Sequence, residues 1–235
     1  MIINMHTIAP TKHIKVVDRF TDLTDTVFTG DNNALCWQRT LRGDFKEIAQ
    51  KLALKENITE ISIEDLLALD LSDEGALARE TIIDDLNSLT DIGAIPSLNL
   101  LKEYERDEEY DFISTDVYSF HVDRAPICSD TYLCTYYGAA SDIVANEEVE
   151  QKILIPEIRT QLRSIYEGPE EEFDEFLKDN FFDLHYQLKE NATPINLGNG
   201  HLWRLAVDAP QQQVLPCVHR APKENQGEYR LMLIC

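Results

Sequence analysis

Six stretches of this chain, all after residue 96, are rich in aromatic and β-branched residues and are separated by polar turns. They are "SLNLLKEYE" (97–105), "YDFISTDVYSFHVD" (110–123), "TYLCTYYG" (131–138), "HLWRLAV" (201–207), "QVLPCVHR" (213–220) and "EYRLMLIC" (228–235). Runs of this kind read as strands. Each strand has two faces, and residues two apart share one. Strands with at least one apolar face must stack as sheets or close on themselves, so the second half of the chain is expected to form an antiparallel sandwich or barrel.

The first third reads as mixed. "NALCWQRTL" (33–41) is strand-like, and "DFKEIAQKLAL" (44–54) has helical spacing with Asp44 as N-cap. In "SDEGALARETIIDDLNSLTDIG" (72–93), Leu77, Ala78, Ile82, Leu86 and Leu89 form a stripe, Ser72 can cap the start and Gly93 can end the helix. Between the two groups of strands lies an acidic helical insertion. Pro156 opens one helix, and "PEEEFDEFLKDNFFDLHYQL" (169–188) reads as a second, its early glutamates complementing the helix dipole. The expected organisation is one α+β domain. Residues 1–96 form an N-terminal helical support region, 97–145 and 195–235 supply the strands, and 146–194 form the insertion.

Charge narrows the function. The chain has 235 residues with 21 basic and 43 acidic side chains, a net charge of −22. Such a surface repels phosphate backbones, so nucleic acid is not an expected partner. No apolar run approaches the length of a membrane span, and the N-terminus lacks an apolar signal core. The five cysteines are odd in number with no C-x-x-C pair, which fits a reducing cytoplasm. A small-molecule substrate is the expected partner, and oligomeric state is not legible.

Two features carry chemistry. In "VYSFHVD", His121 and Asp123 share a strand face, with Val122 opposite. The spacing alone is weak evidence, because a His-x-Asp hydrogen bond at a strand end explains it equally. The second feature is "HRAPKENQGEYRLMLIC". His219 ends one strand and Arg230, eleven residues on, sits in an otherwise apolar one. A hairpin there brings the two side by side. A buried Arg needs an anion, and Glu228 is the one acid near it on that strand.

The order His-x-Asp, a long interval, His, then Arg about ten residues later resembles the Fe(II)/2-oxoglutarate-dependent dioxygenases. "YSFHVD" followed by "TYLCTYYG" is similar to the prolyl-hydroxylase-type run. "CWQR", "FHVD", "CTYYG" and "HRAP…RLMLIC" together resemble a bacterial family of unassigned function within that superfamily. The resemblance implies a double-stranded β-helix, the jelly-roll or cupin-like fold. It implies Fe(II) held by His121, Asp123 and His219, a ligand set suited to that ion. It implies 2-oxoglutarate as co-substrate with its far carboxylate on Arg230, Tyr137 hydrogen-bonded to the same carboxylate, and O2 as oxidant. Hydroxylation of an unactivated C–H bond follows, with release of succinate and CO2. Whether Tyr136 or Tyr137 faces the site depends on register; Tyr136 and Arg124 are candidate substrate contacts. A cupin-like metal protein without O2 chemistry and a non-catalytic sandwich are the alternatives.

The other polar residues read as structural. His185 belongs to the helical insertion as a surface or packing residue, and His201 to a strand edge. His6 and His13 lie in a polar N-terminal arm. Tyr118 and Trp37 read as core, and Arg220 points away from His219.

Overall fold

The computed structural model describes residues 7–235, so His6 lies outside the described residues. In chain order, the first third contains β1 (Ile14–Val17), α1 (Phe20–Asp25), β2 (Ala34–Trp37), α2 (Phe45–Lys51), β3 (Ile58–Ile61), α3 (Ile63–Leu67) and α4 (Asp73–Asp91). The middle contains β4 (Ser97–Leu101), β5 (Phe120–His121), β6 (Asp130–Tyr137), β7 (Asp142–Val144) and β8 (Val149–Gln151). Two helices, α5 (Pro156–Ile165) and α6 (Phe173–Asp179), precede β9 (His185–Leu188), β10 (Ile195–Asn196), β11 (Leu202–Ala206), β12 (Val218–Arg220) and β13 (Arg230–Ile234).

The strands form two sheets. One has the order β1-β2-β11-β6-β13-β4-β3, the other β10-β7-β12-β5-β9-β8. All pairings are antiparallel except that of β1 with β2. Ile143, Leu197 and Cys217 from the six-stranded side pack with Cys36, Leu133, Trp203 and Met232 of the seven-stranded sheet. That shared apolar layer makes the core sandwich-like. The opposite face of the seven-stranded sheet is covered by α2 and α4, through Phe45, Ile48, Ala78, Ile82 and Leu89 against Leu100, Leu231 and Leu233.

The helix signals act as the sequence suggests at their ends. Asp44 accepts from Glu47 N (3.0 Å) and Ser72 from Gly75 N (3.1 Å), each satisfying one free N–H of a first turn. Gly93 follows α4 with φ +86°, where a side chain is strained. Leu77 departs from the expected stripe and faces solvent.

Several boundaries differ from those expected. The N-terminal region is not only helical support, since β1, β2 and β3 complete the seven-stranded sheet. The insertion is not only helical, since β8 and β9 belong to the six-stranded sheet. The helix expected over 169–188 ends at Asp179; Phe181 then takes a left-handed conformation (φ 60°) and the chain re-enters a sheet as β9. The long strand expected over 110–123 shrinks to Phe120–His121. Asp116 Oδ1 accepts from the backbone of Tyr118 (3.0 Å) and Ser119 (3.2 Å), which folds the preceding segment into a turn. Pro216 has no N–H to give a ladder, and β12 starts only after it. His219 and Arg230 are not on one hairpin: β12 is in the six-stranded sheet and β13 in the seven-stranded one. The connection crosses the sandwich.

Among the described residues no helix is long and apolar enough to cross a membrane.

Candidate metal centre

The six-stranded sheet sets up the site by register. His219 on β12 lies directly opposite His121 on β5, and His121 lies directly opposite His185 on β9. Directly paired residues present their side chains on the same face. Three imidazoles therefore stand in a row across three neighbouring strands. Their face is the interior one, because Ile143, the partner of His219 on β7, belongs to the inter-sheet core.

Asp123 follows β5 and joins the first two. Its Oδ1 lies 3.9 Å from His121 Nε2 and 3.6 Å from His219 Nε2. The ligand atoms of His121, Asp123 and His219 all fall within 4.8 Å of one another, close enough to share one cation. The remaining atoms of each side chain are already engaged. His121 Nδ1 is 2.8 Å from Ser119 O and His219 Nδ1 is 3.2 Å from Cys217 O. A carbonyl accepts only, so both Nδ1 atoms carry the proton and both Nε2 lone pairs are free. Asp123 Oδ2 accepts from the Thr131 hydroxyl at 2.6 Å, which leaves Oδ1 for a metal. Two oriented imidazoles and an oriented carboxylate suit a divalent transition metal, and the partners behind them are the kind that fix metal ligands.

Ionisation agrees with this arrangement. Burial first, and then His219, pull His121 down to about 4. Burial pushes the Asp123 carboxyl up, but His219, the Thr131 hydrogen bond and His121 outweigh it and hold the pKa below its ordinary value. His121 and Asp123 are therefore in their metal-binding forms at neutral pH.

The metal-free protein should lose stability in acid. His121 at about 4 and His185 at about 3, the latter through burial and then His121 and Lys152, both bind protons more weakly folded than unfolded. Their contribution is complete above the unfolded value of about 6.5 and is lost as pH falls toward the folded values. Thermal melting in chelator is expected to change little from these groups above pH 7. It should fall steadily between about pH 6.5 and 4, by the equivalent of about 3 kcal/mol from His121 alone. A flat profile across that window would contradict the buried neutral imidazoles.

The Thr131 hydroxyl offers a second measurement. A Thr131→Val variant keeps the side-chain shape and removes the bond to Asp123 Oδ2. Metal affinity, read by competition with a chromophoric chelator, is expected to weaken by about 10–100-fold, the usual effect of losing such a partner.

Arg230 is a further buried polar group of the interior. It opens β13 on the same face as Met232, which packs in the inter-sheet core. It is buried, and its Nε and Nη1 have no hydrogen-bond partner. Nη2 donates to Ser141 Oγ at 3.3 Å, and the Tyr104 hydroxyl lies close enough to the guanidinium to interact with it. A structural pair with Glu228, the nearby acid on that strand, does not form, since Glu228 accepts from Tyr137 and Asn225. Burial pulls the guanidinium below its ordinary value, against Tyr104 and Glu224, which raise it. A buried cation with two unmatched donors is costly alone, and an anionic ligand is the natural complement. Ser141 lies two residues before Ile143 on that same face, a step of about 6.6 Å along the strand. The Arg230 head is thus one step from the imidazole row.

The two candidate tyrosines are not at this site. Tyr136 stacks on Phe45 and donates to Asp85 Oδ2 (2.6 Å), in a buried network with Arg39. Tyr137 packs against the same helix-side cluster, and its hydroxyl donates to Glu228 Oε1 (3.1 Å). A bulge opposite Leu231 and Met232 lets both consecutive side chains face the helices. The tyrosine beside Arg230 is Tyr104, whose ring packs in the inter-sheet core and whose hydroxyl meets Met232 Sδ at 3.5 Å. Nothing in the spacing of "LLKEYE" singles it out. Arg124 lines the cavity next to the triad but is committed, bonding Asp183 and Asp208 (2.8 Å to the latter). Arg220 turns to the outer face and pairs with Asp142 at 3.0 Å. His185, expected within a helical insertion, is instead buried beside His121, with ring centroids 5.7 Å apart. His201 is buried rather than at an edge, and Arg39 N donates to its Nδ1 at 3.3 Å.

Comparison of the chain with family models, with curated proteins and with solved structures finds no match.

Proposed function

We propose that this chain is an Fe(II)- and 2-oxoglutarate-dependent oxygenase on a jelly-roll core, acting on a C–H bond of a small molecule. The observation that carries the reading is the pairing of two unsatisfied sets in one interior. Three oriented donors, His121 Nε2, Asp123 Oδ1 and His219 Nε2, converge on a point. One strand step away, Arg230 holds two unmatched donors out of solvent. The chemistry of the donor set fits Fe(II), and the orphaned guanidinium fits a carboxylate. When bound, Fe(II) would let O2 act as oxidant: 2-oxoglutarate would take one oxygen atom and leave as succinate and CO2, and the other atom would go into the C–H bond.

The chain's own residues have separable tasks. His121 Nε2, Asp123 Oδ1 and His219 Nε2 would hold the metal. Ser119 and Cys217 carbonyls and the Thr131 hydroxyl aim those ligands. Arg230, with Ser141 and Tyr104 around it, binds and orients the far carboxylate of the dicarboxylate. The apolar layer of Met232, Leu133 and Ile143 keeps water away from the interior. Small-molecule substrates are favoured by the cavity beside the triad, which measures about 280 Å³.

The test is direct. Purified protein with Fe(II), ascorbate and O2 is expected to convert 2-oxoglutarate into succinate above a His219→Ala control, even slowly without its prime substrate. Bound iron without succinate or O2 consumption would shift the reading to a cupin-like metal protein. Absence of both metal binding and any response to 2-oxoglutarate would leave a non-catalytic sandwich.

A further inference from the structure

His185 is the residue that neither the metal nor the co-substrate uses. It stands in register with His121, is only 3% exposed, and its Nδ1 has no hydrogen-bond partner. It lines the cavity of about 280 Å³ that also touches His121 and Asp123, with Asp116, Phe181 and Leu184. An unmatched buried polar atom normally marks a missing partner.

The charge around that cavity gives the partner's sign. Asp107 and Asp116 both act on His185, and Lys152 is the cation near them. Lys152 is occupied with the Ser119 hydroxyl at 2.8 Å. Arg124, the cation in the cavity wall, is held by both Asp183 and Asp208. Around the cavity four carboxylates thus stand against two cations, and of these groups Asp116 and Arg124 line it directly. On the oxygenase reading, on which this inference rests, the divalent ion and Arg230 balance Asp123 and a dianionic co-substrate, so the surplus of carboxylates is not cancelled. A positive substrate group lowers the electrostatic cost of filling such a site, and a negative one raises it.

We propose that the cavity beside the triad binds the ammonium group of a small amine substrate, with His185 accepting a hydrogen bond from it and Asp116 supplying counter-charge. His185 is then a specificity-determining residue: it selects what is placed beside the metal and takes no part in holding the metal.

Three probes of one chain length and different charge test this: n-butylamine, n-butanol and butyrate. They are titrated into the Co(II)-loaded protein with 2-oxoglutarate, and the cobalt visible spectrum is followed. The expected order is butylamine tightest, by about tenfold or more over the alcohol, with butyrate weakest. His185→Phe should erase the advantage of the amine while leaving Co(II) affinity unchanged. It should melt no lower than wild type, because it removes an unmatched buried atom. His185→Gln, which restores an acceptor, should recover part of the preference. Equal binding of amine and alcohol, tighter binding of butyrate, or an unchanged preference in His185→Phe would each overturn the proposal. Cobalt supports no turnover, so the ranking reads independently of whether succinate forms with iron. If cobalt itself does not bind, the same three probes are titrated into metal-free protein and followed through the His185 imidazole NMR shift. The same order then supports the proposal, and equal or reversed binding overturns it.

Discussion

A His219→Ala variant is expected to lose divalent-metal affinity by more than ~100-fold, and with it all succinate formation. The lower bound comes from comparison. Losing a partner that merely orients a ligand costs about 10–100-fold, and His219 is itself one of three donors converging on the site. The loss should not come from misfolding. His219 contributes a partly exposed imidazole whose one hydrogen bond inside the protein is to the Cys217 carbonyl at 3.2 Å. Its strand neighbour Val218 supplies the outer-face packing. Melting in chelator should therefore stay close to wild type, while the rise in melting temperature that metal produces in the native protein should disappear. The pair of measurements separates the two explanations. Lower stability in chelator would mark His219 as structural. Retained metal-induced stabilisation would remove it from the ligand set and the oxygenase reading with it.

The parts of the site legible in the sequence are those that depend only on residue type and order. His121, Asp123, His219 and Arg230 stand out because an imidazole, a carboxylate or a guanidinium in a strand otherwise fit for a core demands an explanation. Seven of the strands are legible through their apolar runs, but β1, β3, β7, β8, β9 and β10, which complete the two sheets, are not. What the sequence hides depends on pairing, which one chain's residue order does not display. His185 looks like part of a helix because "EFLKDNFFDLHYQL" keeps a helical stripe until Phe181 turns left-handed. Tyr136 and Tyr137 cannot be assigned to a face by counting, because a one-residue bulge moves a side chain from one face to the other. The segment between His219 and Arg230 suggests a hairpin that does not form. A short Pro- and Gly-containing connection fits a hairpin and a crossing between sheets alike. Tyr104 lies just beyond β4, where alternation no longer says which way a ring points.

Arg230→Met is expected to weaken 2-oxoglutarate binding by about 100-fold or more and, at the same time, to stabilise the unliganded protein. The first effect follows from removing a cation whose donors are unmatched in the interior; truncating a buried charge partner typically costs about 2–5 kcal/mol of binding. The second follows from the cost that the same residue imposes when no anion is present. Nε and Nη1 are buried without partners, and burial already pulls the guanidinium toward its neutral form. Met has a similar length, no polar atoms, and Met232 and Tyr104 as ready apolar neighbours. Replacing an uncompensated buried charge with such a side chain is expected to add about 1–3 kcal/mol, seen as a melting temperature several degrees higher. Arg230→Lys should show only the first effect: it keeps the charge but loses the planar fork, so 2-oxoglutarate binding drops without the gain in stability. A side chain held for structure would behave the other way round, with Arg230→Met melting lower and 2-oxoglutarate raising the melting temperature of variant and wild type alike. The opposite signs of the two effects in one variant are what identify Arg230 as a binding residue, because only a ligand-directed charge is tolerated at a cost to the fold that carries it.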